Sequence, residues 1–560
     1  MKKNMKYRQL LAGILLAVGA AGTPVALRAE ATNEVRWTAD IAADTTWRAT
    51  NVYLMDGLVH VLAPATLTIE PGTVIKGVSQ GNLTNAENVS ALFVTVGAKL
   101  RAVGTPTQPI IFTSEFDDTS GPSPLGLFER GLWGGIVVMG QAVLNTSSST
   151  AGNDATNRFK YDVFEGLADN QINGQYVYRF GGTNDADNSG VLQYVSIRHG
   201  GYVITGNKEL NGLSMCALGN GTTIDHVEAY AIADDGFEFF GGTVNTKYLV
   251  SAFNDDDCFD TDQGYRGKNQ FWFAIQENGK RDNGGEWNGE PNGIAVSNAP
   301  YANFQVYNAT WIGAGNGPTT ATNSNNGLFI REYSAPRVYN SVLTDFNNNG
   351  GTIGCRMDVK SGYMLTNGLL DLQENIFHGF TTVSNAFSAP LFTDLARSNT
   401  TVNPLLVSIS RDTNHLLDPR ITPASPAQIT SIVPPNDGFF QRVQFKGAFN
   451  KNLWAYNWTA LAAYGFLPCD TTIEVEATVA TGTGPTAPTL TLTANGANVI
   501  ITCASQPGYT YTLESTAVLS PVSWNPATGV TPSTSQAGTG SPLTFTVSAT
   551  EVNYFRVSAQ

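Results

Sequence analysis

Cysteine is scarce in this chain: five residues in 560, at positions 216, 258, 355, 469 and 503, with no Cys-x-x-Cys spacing. A zinc cluster is therefore not expected. The odd number leaves at least one thiol unpaired even where disulfides are permitted, and most read as small apolar fillers. Basic residues are also few. Lys and Arg total 32 against 46 Asp and Glu, a formal net charge of −14. No Lys/Arg cluster follows the first residues, so no nucleic acid partner is expected. A strongly anionic polymer would need a bound cation to screen its contact. The five histidines are scattered, and HExxH, GxSxG and a phosphate-cradling glycine loop are all missing. Beyond the first residues no run is apolar enough to span a bilayer, and amphipathic runs of helix length are scarce.

Lys2, Lys3, Lys6 and Arg8 precede an apolar run from Leu10 to about Ala21, and Ala29-Glu30-Ala31 offers a cleavage site. This pattern predicts a signal peptide over 1–31 and an exported protein, extracellular, at the cell surface or periplasmic. Its removal takes away five basic residues and one acid and moves the net charge to −18.

What the chain has in quantity is short β-rich runs punctuated by Gly, Asn and Asp. HVLAPATLTIEPGTVIKG (60–77), ALFVTVGAKLRAVGT (91–105), GLWGGIVVMGQAVL (131–144) and GVLQYVSIRHGG (190–201) alternate with period two. Residues 234–242 read DDGFEFFGG and 256–264 read DDCFDTDQG, an echo at a spacing of 22. A propeller blade would repeat at about 40–45 residues, so the echo favours a parallel β-solenoid over a propeller. A register follows. Leu213, Phe237 and Phe259 stack inward in successive coils, with Met215, Phe239 and Thr261 two residues on. Ser214, Glu238 and Asp260 point outward, as do Cys216, Phe240 and Asp262. Slipping by one residue would bury the acids.

Segments 115–130, 145–185 and 279–327 read as loops leaving the coil. LWAYNWTALAAYGFL (453–467) reads as a short helix or an aromatic cap for an end of the stack. The expected order is a solenoid over 32–470, a Thr/Ala/Gly/Pro-rich linker over 471–487, and a small β-sandwich module over 488–560.

LTIEPGTVIKG, AVGTPTQPIIFTS, LWGGIVVMGQA, DNSGVLQYVSIRHGG, ELNGLSM and DDGFEFFGGTVNTKYLV together resemble a bacterial family of exported right-handed parallel β-helix proteins of uncharacterised function. That resemblance covers about 50–275, and GAFNKNLWAYNWT (447–459) is similar to the family's terminal segment. The last residues resemble a C-terminal module of exported Verrucomicrobia-type proteins. The resemblance implies an all-β, right-handed parallel β-helix; it implies no activity.

Four constellations carry candidate chemistry. Asp234, Asp235, Glu238, Asp256, Asp257, Asp260 and Asp262 would converge from stacked coils on Ca²⁺, a hard cation that takes six to eight oxygens; alternatively they are solvated turn residues. In DADNSG, Asp185, Asp187 and Ser189 occupy the first, third and fifth positions of a calcium loop. Ser196 stands at the twelfth and a strand follows, so an EF-hand is excluded, leaving a looser calcium loop or an ordinary Asx turn. Arg266, Lys268 and Arg331 are candidate catalytic cations for polysaccharide cleavage. Asp256-Asp257 and Arg266-Gly267-Lys268 resemble two pieces of the polygalacturonase pattern, but no Gly-His-Gly lies between them. Ile224-Asp225-His226 resembles part of a pectate lyase motif without its tryptophan. Finally, Trp272 and Trp287 are candidate sugar-stacking residues, with Phe271 and Phe273 turned inward. The resulting reading is a secreted or cell-surface β-helix protein with a binding or structural role toward a polysaccharide or cell-surface polymer, stabilised by calcium. The alternative is a polysaccharide lyase or glycoside hydrolase using the same acidic face.

Overall fold

Period-two alternation gives each short strand one inward and one outward face. In the computed structural model, stacking uses that alternation twice over. Ten parallel strands form one sheet: Leu58–Val61, Ala91–Val94, Ile136–Met139, Leu213–Cys216, Phe237–Phe240, Phe259–Asp262, Gly285–Asn288, Leu328–Arg331, Ile353–Met357 and Thr382–Ser384. Eighteen further strands pair in parallel as a second sheet. Its long members Gly190–Arg198, Thr223–Tyr230 and Asn245–Ala252 bend at single left-handed residues, Tyr194, His226 and Tyr248, with φ of 51°, 55° and 56°. The architecture is an all-β parallel β-helix. The structure describes residues 33–79, 89–119, 121, 125–145, 161–204, 208–278, 282–289, 300–315, 326–346, 352–469, 490–495, 498–505, 510–516, 525–548 and 554–559. The expected signal peptide (1–31) and linker (471–487) lie outside them.

The register matches the one read from the sequence. Leu213 pairs with Phe237 and Phe237 with Phe259, while Glu238 lies beside Asp260. The inward residues Leu213, Met215, Phe237, Phe239 and Phe259 are all fully buried in one continuous core. Phe237 and Phe259 stack with centroids 5.5 Å apart, and Trp272 lies against Phe259 at 4.3 Å and 7°. Each such ring contributes about 1.5–3 kcal/mol of burial.

Three expectations need correction. Segment 279–327 is not simply a loop: it contains the strands Gly285–Asn288, Gln305–Tyr307 and Thr310–Ile312, so it carries another coil. Cys216 and Phe240 do point out of the coil but are buried, because antiparallel hairpins within 162–180 and 202–210 lay Phe164, Phe180, Tyr202 and Leu210 over them. The segment at 453–467 holds the expected short helix, at Ala460–Ala463, but does not cap an end of the stack. With 447–452 it runs along the side of the coils as a strap, from Ala448 on Thr310, through Trp454 on Tyr248 and Trp458 on His226, to Phe466 on Phe253. The physical reason is the aromatic stack at the bends: Tyr194, His226, Tyr248 and Phe271 present rings outward at separations of 4.2–5.0 Å, and these need cover. The C-terminal end of the stack is closed instead by residues 385–403, among which Leu391 is fully buried.

By contact the chain divides into two units, Met1–Ala427 with Gly447–Ile473, and Gln428–Lys446 with Glu474–Gln560. The second contains antiparallel sheets of three and four strands around Ile501, Tyr511, Leu513, Phe545 and Val547. All five cysteines are free thiols, and only Cys469 is exposed.

Candidate functional site

The outward column of the ten-stranded sheet reads Ser214, Glu238, Asp260, Glu286, Phe329, Arg356 in consecutive coils. Three residues upstream within each coil, a second column is built from Asn and Asp. Asp235 Oδ1 accepts the Asp257 backbone N–H at 2.9 Å, Asp257 Oδ1 accepts that of Asn283, and Asn283 Oδ1 accepts that of Asn326 at 3.2 Å. Each side chain thus stitches the coil that follows. The acids are therefore brought together by strand register and by this hydrogen-bonded column, in which an Asp or Asn stands three residues before each outward residue from Ser214 to Phe329.

Three groups of carboxylates converge. Asp235, Glu238 and Asp260 each offer an oxygen within 4.8 Å of the other two, as do Asp234, Asp235 and Asp256, and also Asp256, Asp257 and Asp282. Asp235 and Asp256 belong to two groups each. Asp260 Oδ1 is buried without a hydrogen-bond partner, and so is Asn211 Oδ1, whose amide nitrogen donates to Glu238. Burial, reinforced by neighbouring acids, holds Asp234, Asp235, Glu238, Asp257 and Asp260 well above the usual carboxylate range. Burial likewise brings Asp256 and Asp262 up to about 7. Without a cation such a cluster must retain protons near neutrality. The donor set is all hard oxygen, which suits Ca²⁺ and excludes a soft-metal preference.

Arg331 closes the acidic column, paired with Glu286 and donating to Asn288 Oδ1. On the other side the hairpin residue Glu165 pairs with Lys208 at 2.7 Å, and burial lifts Glu209 to about 7.

The remaining candidates fall elsewhere. Arg266 pairs with Asp185 at 2.8 Å and donates to the Val143 and Gly264 carbonyls, while Lys268 lies in the eighteen-stranded sheet. After Asp262 the chain turns a corner through Gln263 and Gly264, with φ of 51° and 79°, so neither cation shares the acidic strands. Asp185 is engaged by Arg266 and the Val143 N–H, and Asp187 accepts from Ser189 at 2.9 Å. Asn188 accepts the Gly190 N–H in an Asx turn. Neither aspartate joins a converging group among the described residues. Trp272 and Trp287 are both fully buried. Trp272 donates to Thr246 and stacks in the core, whereas Phe271 and Phe273 face outward onto Tyr248 and Phe449. The left-handed Phe271 (φ 59°) resets the alternation, inverting inside and outside across QFWFAI.

Sequence reasoning missed Asp282 and Glu286. Their signal was present: DNGGEWN (282–288) repeats the form of DDGFEFF (234–240), with Gly285 where the earlier coils have Phe. That glycine leaves room for Trp287, whose indole atoms would lie 2.7 Å from a Cβ built there.

A pectate-lyase-like β-helix domain matches residues 39–403, well over half of the chain. The chain belongs to that β-helix family. Among solved structures, a tailspike protein gp49 from Acinetobacter baumannii bacteriophage Fri1, a capsular polysaccharide depolymerase, is similar at 9% identity over 90% of this chain and 79% of that chain, with a TM-score of 0.18. A likeness that distant carries no argument. No curated protein matches. No helix among the described residues is long and apolar enough to cross a membrane.

Proposed function

We propose that this β-helix protein binds a polysaccharide or cell-surface polymer outside the cytoplasm, and that its acidic column holds calcium or another hard divalent cation. The observation that carries the reading is the convergence of Asp235, Glu238 and Asp260 within 4.8 Å around a buried, unpartnered Asp260 oxygen. A divalent ion offsets the mutual repulsion and supplies the missing partner. It also turns an acidic face into one that accepts anionic groups. A long sheet face repeating every coil suits a repeating polymer, and the family to which the chain belongs has the pectate-lyase-like fold, though fold alone assigns no activity. Export is supported by the basic and apolar start of the chain.

Cleavage by a lyase or hydrolase is the second reading, favoured by Arg331 beside the acids. Arg331 is ion-paired with Glu286, and neighbouring carboxylates raise its pKa against the opposing effect of burial. A guanidinium held charged in this way is a poor proton acceptor, which favours binding over elimination. The test is incubation with a panel of bacterial and plant polysaccharides in calcium and in chelator. Calcium-dependent retention without new ultraviolet-absorbing or reducing ends supports binding; product formation abolished by Asp260→Asn replaces it with cleavage.

A further inference from the structure

The outward column changes character after Glu286. Its next two residues are Phe329 and Arg356, directly paired on neighbouring strands. The Arg356 guanidinium carbon lies 4.4 Å from the Phe329 ring centroid, and that of Arg331 lies 5.2 Å from it. Arg331 is committed to Glu286 and Asn288. Arg356 is not committed: among the described residues its side chain contacts the Phe329 ring, and no carboxylate or other acceptor pairs with it. It is only part-exposed. An unneutralised, half-buried guanidinium is unexpected in a chain whose acids outnumber its bases by 46 to 32. Nearby, Lys360 lies 5.5 Å over Tyr333, with its charge balanced by Glu332.

Stacking occupies the flat face of a guanidinium and leaves its in-plane N–H fork free, the geometry that grips a carboxylate or sulfate with two parallel bonds. We propose that Arg356, held by Phe329, is a subsite for an anionic substituent, carboxylate or sulfate, on a polymer lying along this face. The inference rests on the polysaccharide reading and adds to it the charge of the ligand and the residue that reads it. Arg356 stands two coils beyond Glu286, roughly 10 Å along the stack at the strand spacing of a sheet. A polyanion can therefore meet a cation-bridged acidic column and a guanidinium in succession.

The experiment compares retention on dextran, carboxymethyl-dextran and dextran sulfate, which share one backbone, in saturating calcium. The variants are Arg356→Gln, Arg356→Lys, Phe329→Leu and, as a control for net charge, Arg101→Gln on the exposed strand of the other sheet. The expected result is that wild type and Arg101→Gln prefer an anionic dextran over the neutral one. Arg356→Gln should bind that polymer about tenfold more weakly or worse, with unchanged melting. Arg356→Lys should lose most of the same affinity, because it keeps the charge without the fork. The preferred substituent identifies carboxylate or sulfate. Equal binding by Arg356→Gln and wild type overturns the subsite while leaving polymer binding intact. An equal loss in Arg101→Gln overturns it as mere net charge. Wild type retained on neither anionic dextran overturns it as well, whatever the natural polysaccharide panel gives.

Discussion

Replacing Asp256 by Asn removes one charge from two of the three converging carboxylate groups with almost no change in volume. Burial, then Asp282 and Glu286, raises this carboxyl from 3.8 to about 7. Holding it ionised in the folded protein at pH 8 therefore costs roughly 4 kcal/mol relative to the unfolded chain, an upper bound because its neighbours share the repulsion. In chelator, Asp256→Asn should recover part of that and melt higher, by several degrees for a unit of this size. In calcium the advantage shrinks. An ion at a hundredfold excess over its dissociation constant stabilises by about 2.7 kcal/mol, and the variant has lost a ligand oxygen's charge, so its calcium-induced rise in melting temperature should be smaller than that of wild type. Calorimetry of both proteins in both buffers gives the four melting temperatures. Destabilisation of equal size with and without calcium would refute the reasoning, since it would mean that internal hydrogen bonds, not a missing cation, satisfy Asp256.

Three further predictions follow from the same structure. The calcium-induced rise in melting temperature should grow between pH 6.5 and pH 8.5. Asp256 and Asp262, raised to about 7, favour the folded state in chelator while protonated and lose that contribution as pH rises through 7; His199, lowered to about 4 by burial, stays neutral in this window. A flat calcium effect across it would exclude these two acids. Trp272→Ala should cost about 3–5 kcal/mol in urea unfolding, because the indole is fully buried against Phe259; a neutral effect would return Trp272 to the surface. Glu228→Ala should loosen the strap, since Glu228 accepts the Ala460 and Leu461 N–H groups and the Ser196 hydroxyl beside the buried Arg198. Leaving those buried donors without an acceptor costs roughly 1–3 kcal/mol each, and hydrogen exchange should rise within 447–467; unchanged protection there would deny the strap its anchor.

Much of the coil was legible because its signals are local. Alternation in GFEFF and FDTD assigns inside and outside without knowledge of any partner, and one unbroken echo fixes the register of Glu238 on Asp260. The next coil obeyed the same rule but was hidden. The Asp/Asn column repeats at 22, then 26, then 43 residues, so excursions of unequal length conceal Asn283 and Glu286 from any search at fixed period. The aromatic reading failed for a different reason: at Phe271 a single left-handed residue reverses the alternation, and the pattern of apolar residues carries no mark of that reversal.

The sequence by itself determined a parallel β-coil, its inward phenylalanines and the acidity of one outward column, because each depends on neighbours along the chain and on one short repeat. Only the tertiary structure decided which acids share a pocket, that Arg266 serves Asp185 while Arg331 closes the column, and that Arg356 lies uncommitted on Phe329. Those outcomes depend on how many residues each coil sends outward before returning, and on which hairpin or strap folds back over it. Distances of that kind are set in space, where residues 22 and 43 apart in the chain lie on neighbouring coils of one column.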